Sequence, residues 1–241
     1  MRLESDYRAS LAIGGTDIRA MVKDYDKWIF ERKLLLNGGL PPWLQYDPSP
    51  AAQFGTAVHL ALLEPEKYDT FAVIMDYCEN FALKAGREIK ERAQALCVTP
   101  EHFTMRHEHH WAVQQIRRNF FFALTEKGIP LPQPGDVELE RWAVRHGVEC
   151  KGKLDWRTGG IVYDLKTCSD IHRINSIKYE NAYHAQLAHY AALDDLERTA
   201  IIWIESVAPY RVVVELLDED DRKFGSTACN NALKTYAKEK L

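Results

Sequence analysis

The sequence predicts an α/β (α+β) fold, with a central mixed β-sheet flanked by helices, in a single domain over residues 1–241. Two observations carry this prediction. Residues 1–130 show mostly helical spacing of apolar residues, whereas residues 131–241 contain short segments of alternating apolar and polar residues. The chain is 46% hydrophobic and 27% charged, which is ordinary for a globular domain with a sizeable core.

Composition excludes several classes of protein. No apolar run approaches 18 residues and the N-terminus lacks an apolar signal segment, so we expect a cytoplasmic protein with no membrane partner. The five cysteines are scattered without CxxC spacing, which argues against disulfides, an iron–sulfur cluster or a structural zinc. The net charge of −4 does not indicate nucleic-acid binding, although basic clusters at 84–92, 117–118 and 141–153 could form a local rim or be solvated faces.

In the N-terminal half, the spacing of apolar residues predicts helices at about residues 17–36, with Thr16 as cap, and at 51–63, 84–95 and 100–126. Thr99-Pro100 has the pattern of an N-cap followed by proline at the first helical position. Between the helices, we expect a proline-rich loop at 40–50 and a short strand at Phe71–Met75. The histidines within 102–110 have no cysteine or carboxylate at a matching spacing, so we interpret them as a solvated helix face.

In the C-terminal half, alternating apolar and polar residues predict a three-stranded meander, followed by helices and two further strands. Its strands are expected at residues 137–144, 148–156 and 161–166. A helical stretch at 170–195, broken near Asn181, precedes two more strands at 199–206 and 210–217. Apolar residues every fourth position from Phe224 to Tyr236 indicate a closing amphipathic helix.

The candidate site lies in the meander. Alternate residues of a strand share a face, so Asp164 and Lys166 point the same way, and a hairpin can bring Asp155 beside them. Two carboxylates form a hard-oxygen site suited to Mg²⁺, and a lysine beside it can orient water for phosphodiester hydrolysis. Glu138 on the preceding strand can project toward this site, but Glu140 shares its face and competes for the role.

Three residues outside the meander are further candidates. Gln186 and Tyr190 are four residues apart on one helical face, where they can line a groove or support the lysine. His59 lies on an apolar helix and is either a metal ligand or a core histidine. The small residues at 55–57 allow that helix to approach another element closely.

These elements occur in a recognisable order: Gly55-Thr-Ala-x-His59, Val137-Glu138, Gly152-x-x-Asp155, Asp164-x-Lys166-Thr167 and Gln186-x-x-x-Tyr190. The order resembles the PD-(D/E)xK nucleases, in the branch of the RecB nuclease domain, phage lambda exonuclease and the RecE-type exonuclease VIII, and it is most similar to the RecE type. The resemblance extends from about residue 10 to the end. It implies a restriction-endonuclease-like core at 131–241, preceded by a mostly helical part at 1–130 that contributes His59.

The resemblance also implies roles for individual residues. Asp155, Asp164, the backbone carbonyl of Leu165 and His59 would bind Mg²⁺, with Mn²⁺ as a substitute. Glu138 would contact a second metal or a metal-bound water, and Lys166 would position the attacking water. Gln186 and Tyr190 would organise the site and the DNA backbone.

The implied activity is a metal-dependent exonuclease that degrades linear double-stranded DNA from free ends, 5′→3′. It would leave 3′ single-stranded tails for a partner single-strand annealing protein in phage recombination, in the cytoplasm of a bacterial host. A ring-shaped homo-oligomer is implied as well. The alternatives are a structure-specific endonuclease and a catalytically idle relative that binds DNA or a protein partner. Retention of Asp155, Asp164 and Lys166 speaks against the idle relative.

Overall fold

The computed structural model describes residues 7, 10–37, 39 and 49–239. Most of the expected loop at 40–50 and most of the first ten residues lie outside the described part. The helices are α1 (Gly15–Lys23), α2 (Tyr25–Leu36), α3 (Pro50–Leu63), α4 (Pro65–Phe71), α5 (Lys84–Ala95), α6 (His107–Glu126), α7 (Ile174–Glu180), α8 (Tyr183–Leu193) and α9 (Glu219–Glu239). The strands are β1 (Ala72–Met75), β2 (Phe103–Arg106), β3 (Val137–Arg145), β4 (Val148–Thr158), β5 (Ile161–Cys168), β6 (Arg198–Glu205) and β7 (Val212–Leu216).

The larger sheet has five strands in the order β3-β4-β5-β6-β7. Its first three strands form the expected antiparallel meander, β6 runs parallel to β5, and β7 runs antiparallel to β6. The parallel pair is joined by a crossover through α7 and α8, which matches the helical stretch expected at 170–195 and its break near Asn181. The prediction of a mixed sheet flanked by helices is therefore confirmed.

Strand β6, next to the central strand β5, separates two hydrophobic layers. Ala200, Ile202 and Ile204 pack against α3 and α6 on one face, whereas Ile201 and Trp203 pack against the α8 side. All five side chains are buried. A strand covered on both faces must be apolar at consecutive positions, which explains the run Ala200-Ile-Ile-Trp-Ile204.

The first predicted helix, 17–36 with Thr16 as cap, is wrong in two details. The chain forms two helices, because Asp24 adopts an extended conformation and its side chain accepts a hydrogen bond from the Lys27 backbone N–H at 3.0 Å. The first helix begins at Gly15, and the Asp17 carboxylate accepts a hydrogen bond from the Gly14 N–H at 2.8 Å. Asp24 therefore ends one helix and caps the next.

The helix predicted from Thr99-Pro100 to Glu126 begins only at His107. Residues 99–102 form a turn in which the His102 N–H donates to the Thr99 carbonyl at 3.1 Å, and Phe103–Arg106 form β2, which pairs in parallel with β1. The capping pattern also fits a turn, and strand pairing with β1, remote in sequence, overrides the local helical preference. His102 thus lies outside the helix, and His110 is half-buried with its Nδ1 3.0 Å from the Tyr68 hydroxyl.

None of the helices in the described ranges is long and apolar enough to cross a bilayer.

Candidate metal and catalytic site

Strand β4 changes face at Asp155. Leu154 packs in the layer that contains Leu187 of α8, whereas Trp156 packs in the opposite layer with Leu165. Residues two apart in a regular strand share a face, so the alternation is broken between them. The β4–β5 ladder ends at the pair Trp156–Tyr163, and beyond it the Asp155 Oδ2 accepts a hydrogen bond from the Leu165 N–H at 2.8 Å. The sheet therefore opens at the first candidate carboxylate.

Glu138 lies opposite Asp155 across the β3–β4 ladder, since Val137 pairs with Trp156 and Leu139 with Leu154. Two carboxylates in directly opposite positions repel each other. Glu138 also has a φ of 53°, in the left-handed region that residues with side chains rarely adopt. Strain at a polar residue that faces a like charge is typical of functional sites.

Glu140 occupies a different position from Glu138. It pairs with Lys153 in the ladder, two pairs farther from Asp155 than Glu138 is. The Lys153 ammonium reaches back to Glu138, with Nζ 2.9 Å from its Oε2. The geometry therefore favours Glu138 over Glu140 as the third acidic residue, a choice that strand alternation alone leaves open.

His59 reaches the sheet from α3. Its Nε2 lies 2.8 Å from the Leu165 carbonyl oxygen, and because that oxygen only accepts, Nε2 carries the proton. Nδ1 is then an acceptor and lies 3.6 Å from the Asp155 Oδ2. The helix approaches closely at Gly55, where a Cβ atom would lie 3.1 Å from the Thr167 Oγ1. The small residue at 55 thus permits the histidine to reach the site, as the sequence suggested.

His59, Glu138 and Asp155 form a candidate metal site. Each offers a ligand atom, and these three atoms lie within 4.8 Å of one another. Two carboxylates and an imidazole suit a divalent cation such as Mn²⁺ or Mg²⁺. Nearby, Asp164 is 1% exposed, and its buried Oδ1 has no hydrogen-bond partner among the described residues. A buried carboxylate oxygen without a donor fits a place where a cation would supply the missing charge.

Lys166 forms an ion pair with Asp164, with Nζ 2.6 Å from Oδ2. Burial by itself lowers the pKa of the Lys166 ammonium, but the charges of Asp164 and Asp155 outweigh burial and raise it. The lysine is therefore cationic at neutral pH. Burial raises the pKa of Asp155 to about 6, and the Asp164 charge adds to this while His59 and Lys166 oppose it.

Gln186 and Tyr190 lie on α8 and contact each other. The Gln186 Nε2 donates to the Tyr190 hydroxyl at 2.8 Å, and both side chains are buried. Burial, followed by the charges of Asp164 and Asp155, raises the pKa of Tyr190 well above 10. The influence of these two charges indicates that the Tyr190 hydroxyl lies near both carboxylates, so the pair on α8 is close to the other candidate residues.

Sequence reasoning assigned no role to Lys153, Tyr183 or Arg19. Lys153 bridges to Glu138, and its position two residues before Asp155 in the strand could have indicated this. Tyr183 precedes Gln186 by three residues, a helical spacing that could have placed it on the same face. No sequence signal connects Arg19 with the site, because its contact with Tyr183 spans most of the chain.

An open mixed sheet with acidic residues on neighbouring strands and an Asp-x-Lys lysine defines a PDDEXK-like domain. Residues 36–219 match the family described as PDDEXK-like domain of unknown function (DUF3799), and the chain belongs to this family. No curated protein is detectably similar to the chain.

Two solved structures are similar to this chain. The crystal structure of a candidate exonuclease from Eubacterium rectale has a TM-score of 0.61 at 13% identity, with 100% of this chain and 88% of that chain covered. A phage-related exonuclease from Haemophilus somnus 129PT has a TM-score of 0.38 at 13% identity, with 98% of this chain and 100% of that chain covered. At this identity the first likeness concerns the fold, and it agrees with the family assignment.

Proposed function

We propose that the protein is a divalent-metal-dependent exonuclease that degrades linear double-stranded DNA. The observation that carries the proposal is the convergence of His59, Glu138 and Asp155, with ligand atoms within 4.8 Å, beside the buried Asp164–Lys166 pair. If His59 only filled the hydrophobic core, the two carboxylates close to its ring would have no structural explanation. Membership of a PDDEXK-like family supports a nuclease built on this site.

The residues divide into cation-holding and water-positioning groups. Asp155, Asp164 and the His59 imidazole would hold Mg²⁺ or Mn²⁺. The Leu165 carbonyl, 2.8 Å from the His59 Nε2, would join them when the imidazole proton moves to Nδ1 and frees Nε2 as the ligand atom. The bound cation would neutralise charge on the phosphate and on the leaving 3′-oxygen. Glu138, which offers a ligand atom within 4.8 Å of those of His59 and Asp155, would contact this cation through a bound water or hold a second cation beside it.

Lys166 acts as a hydrogen-bond donor in this proposal. Its raised pKa keeps the ammonium protonated, so it cannot accept a proton from water in the resting state. The charged group instead orients the attacking water by donation to its oxygen and stabilises negative charge that develops there. Gln186 presents an Oε1 without a partner among the described residues, and with Tyr190 it would fix the orientation of groups around the lysine.

The proposal also covers the direction of degradation and the DNA end at which degradation begins. Support comes from the resemblance of the motif order to RecE-type phage exonucleases, and from the naming of the Eubacterium rectale structure as a candidate exonuclease. We infer cleavage in the 5′→3′ direction that leaves 3′ tails for a single-strand annealing partner, by a ring-shaped oligomer. A structure-specific endonuclease would use the same catalytic groups. It would differ from the exonuclease in cleaving DNA that has no free end.

A plasmid assay tests the proposal. The purified protein is incubated with linear and with covalently closed circular plasmid, in Mg²⁺, in Mn²⁺ and in a chelator. We expect metal-dependent loss of the linear form and survival of the closed circle. Cleavage of the closed circle would indicate the endonuclease, and binding of DNA without cleavage in either metal would indicate an idle relative.

A further inference from the structure

The aromatic ring of Tyr183 contacts two cations at the edge of the candidate site. The Lys166 Nζ lies 4.9 Å from the ring centroid, and the guanidinium carbon of Arg19 lies 4.4 Å from the same centroid. Both distances are within the range of a cation–π interaction. One ring on α8 therefore links the lysine of the catalytic strand to the first helix.

The position of this ring is fixed by the backbone next to it. Ala182, between α7 and α8, is buried and has a φ of 52°, in the left-handed region. Such a conformation is unfavourable for alanine and persists only where the surroundings enforce it. Here the Asn181 carbonyl accepts a hydrogen bond from the Arg19 Nε at 2.8 Å. Arg19 thus holds both the strained junction and the ring that follows it.

The Tyr183 ring also packs inward, with its centroid 5.9 Å from that of Trp203. Trp203 is fully buried in β6, so this contact ties the ring to the centre of the sheet. The ring is therefore supported from the sheet side and from α1, which makes it a rigid surface for the flexible side chain of Lys166.

We propose that Tyr183 is a positioning residue for Lys166, and that Arg19 acts through it by holding the ring in place. This inference rests on the proposed nuclease function. Asp164 pairs with Lys166 but is also expected to hold a cation, and a carboxylate shared with a cation attracts the ammonium less strongly. The ring would keep the ammonium in place when that attraction weakens. The interaction requires the aromatic face and not the hydroxyl group.

Kinetics of three variants on end-labelled linear duplex DNA test the role of the ring. Tyr183→Leu should lower kcat about tenfold with KM nearly unchanged, because the lysine is misplaced while DNA binding is retained. Tyr183→Phe keeps the ring and should stay near the wild-type rate. Tyr179→Leu is the matched control: it removes a ring that Lys178 contacts at 5.3 Å, outside the site, and should leave kcat unchanged. Equal losses in the Leu and Phe variants at position 183 would overturn the inference.

A double-mutant cycle with Arg19→Met tests whether Arg19 acts through the ring. If it does, Arg19→Met lowers kcat in the wild-type background but adds little to Tyr183→Leu. If Arg19 contacts DNA directly, the two effects multiply and KM rises in both backgrounds. That second result would remove Arg19 from the proposal.

An NMR measurement separates this inference from the proposed function. In protein labelled with ¹³C-lysine, the side-chain signals of Lys166, assigned with a Lys166→Arg variant, should carry a ring-current shift. The shift should persist in Tyr183→Phe and disappear in Tyr183→Leu. This pattern supports the placement even if no DNA is cleaved, whereas unchanged Lys166 signals in Tyr183→Leu overturn it.

Discussion

At the scale of single residues, the Asp164–Lys166 pair has a structural role in addition to the chemical role that we propose for it. The carboxylate is almost fully buried and the ammonium lies 2.6 Å from it, so removal of either partner leaves an uncompensated charge. Loss of one member of a buried ion pair typically costs about 3–5 kcal/mol. Stability and activity must therefore be measured separately for variants of this pair.

The first prediction uses a double variant to separate the effect on stability from the effect on activity. Lys166→Ala should abolish cleavage and also lower the free energy of unfolding, because Asp164 is left buried and unpaired. Lys166→Met combined with Asp164→Asn removes both charges at similar volume, so it should recover much of the stability and none of the activity. Urea unfolding and the cleavage rate provide the two measurements. A Lys166→Ala protein that cleaves DNA near the wild-type rate would exclude the assigned role.

The second prediction concerns His59. His59→Ala removes an imidazole that lies 3.6 Å from the Asp155 carboxylate and 2.8 Å from the Leu165 carbonyl, so Mn²⁺ affinity should fall at least about tenfold. Calorimetric titration with Mn²⁺ measures the change. His107→Ala is the control, since His107 is an exposed histidine at the start of α6. If both variants titrate like the wild type, His59 is a core histidine.

The third acidic residue shows where sequence reasoning stops at this scale. Alternation in β3 places Glu138 and Glu140 on one face and cannot rank them. The left-handed backbone at Glu138 and the break in alternation at Asp155 are products of sheet opening. No local residue type encodes them, so they were accessible only from the three-dimensional structure.

At the scale of elements, residue pattern predicted most of the helices and strands because the layers are strongly apolar. The run at residues 200–204 and the meander before it follow from burial on one or both faces. The failure at residues 100–106 has a physical cause, since β2 exists through pairing with β1. A four-residue strand stabilised by a partner 31 residues away in sequence leaves little local signal.

The third prediction tests how α9 holds α8. Gly225 on α9 lies against the α8 backbone, and a Cβ atom there would be 2.3 Å from the His184 carbonyl oxygen. Gly225→Ala gains about 1 kcal/mol of helix propensity, but this backbone overlap costs up to about 3 kcal/mol. We expect a net loss of about 1–2 kcal/mol in urea unfolding. Ser226→Ala, at the exposed next position, should be nearly neutral, and equal stability of the two variants would contradict this packing.

At the scale of the whole molecule, stability should depend on pH through His189. Its Nε2 donates to the Lys151 carbonyl at 2.9 Å and its Nδ1 accepts from the Arg145 guanidinium at 3.2 Å, so the buried ring is neutral. Burial lowers the pKa of His189 to about 4. The unfolded chain, with an ordinary histidine pKa near 6.5, then binds more protons than the folded chain between these values.

The fourth prediction follows from this difference. The His189 contribution is fully present above pH 6.5 and is lost as the pH falls toward 4, up to about 3 kcal/mol. Urea unfolding of the wild type across this interval should show the decline. His189→Gln, which lacks a titrating group, should show a smaller slope, and an identical slope in both proteins would refute the assignment.

The central claim, a metal-dependent nuclease that acts from DNA ends, is tested most directly by label release. Linear duplex carrying a 5′ label in one sample and a 3′ label in another is incubated with Mg²⁺ and either the wild type or Asp164→Ala. The account predicts early release of the 5′ label by the wild type and no release by the variant, which lacks a buried carboxylate of the site. Equal release by both proteins, or no release by the wild type, would contradict it.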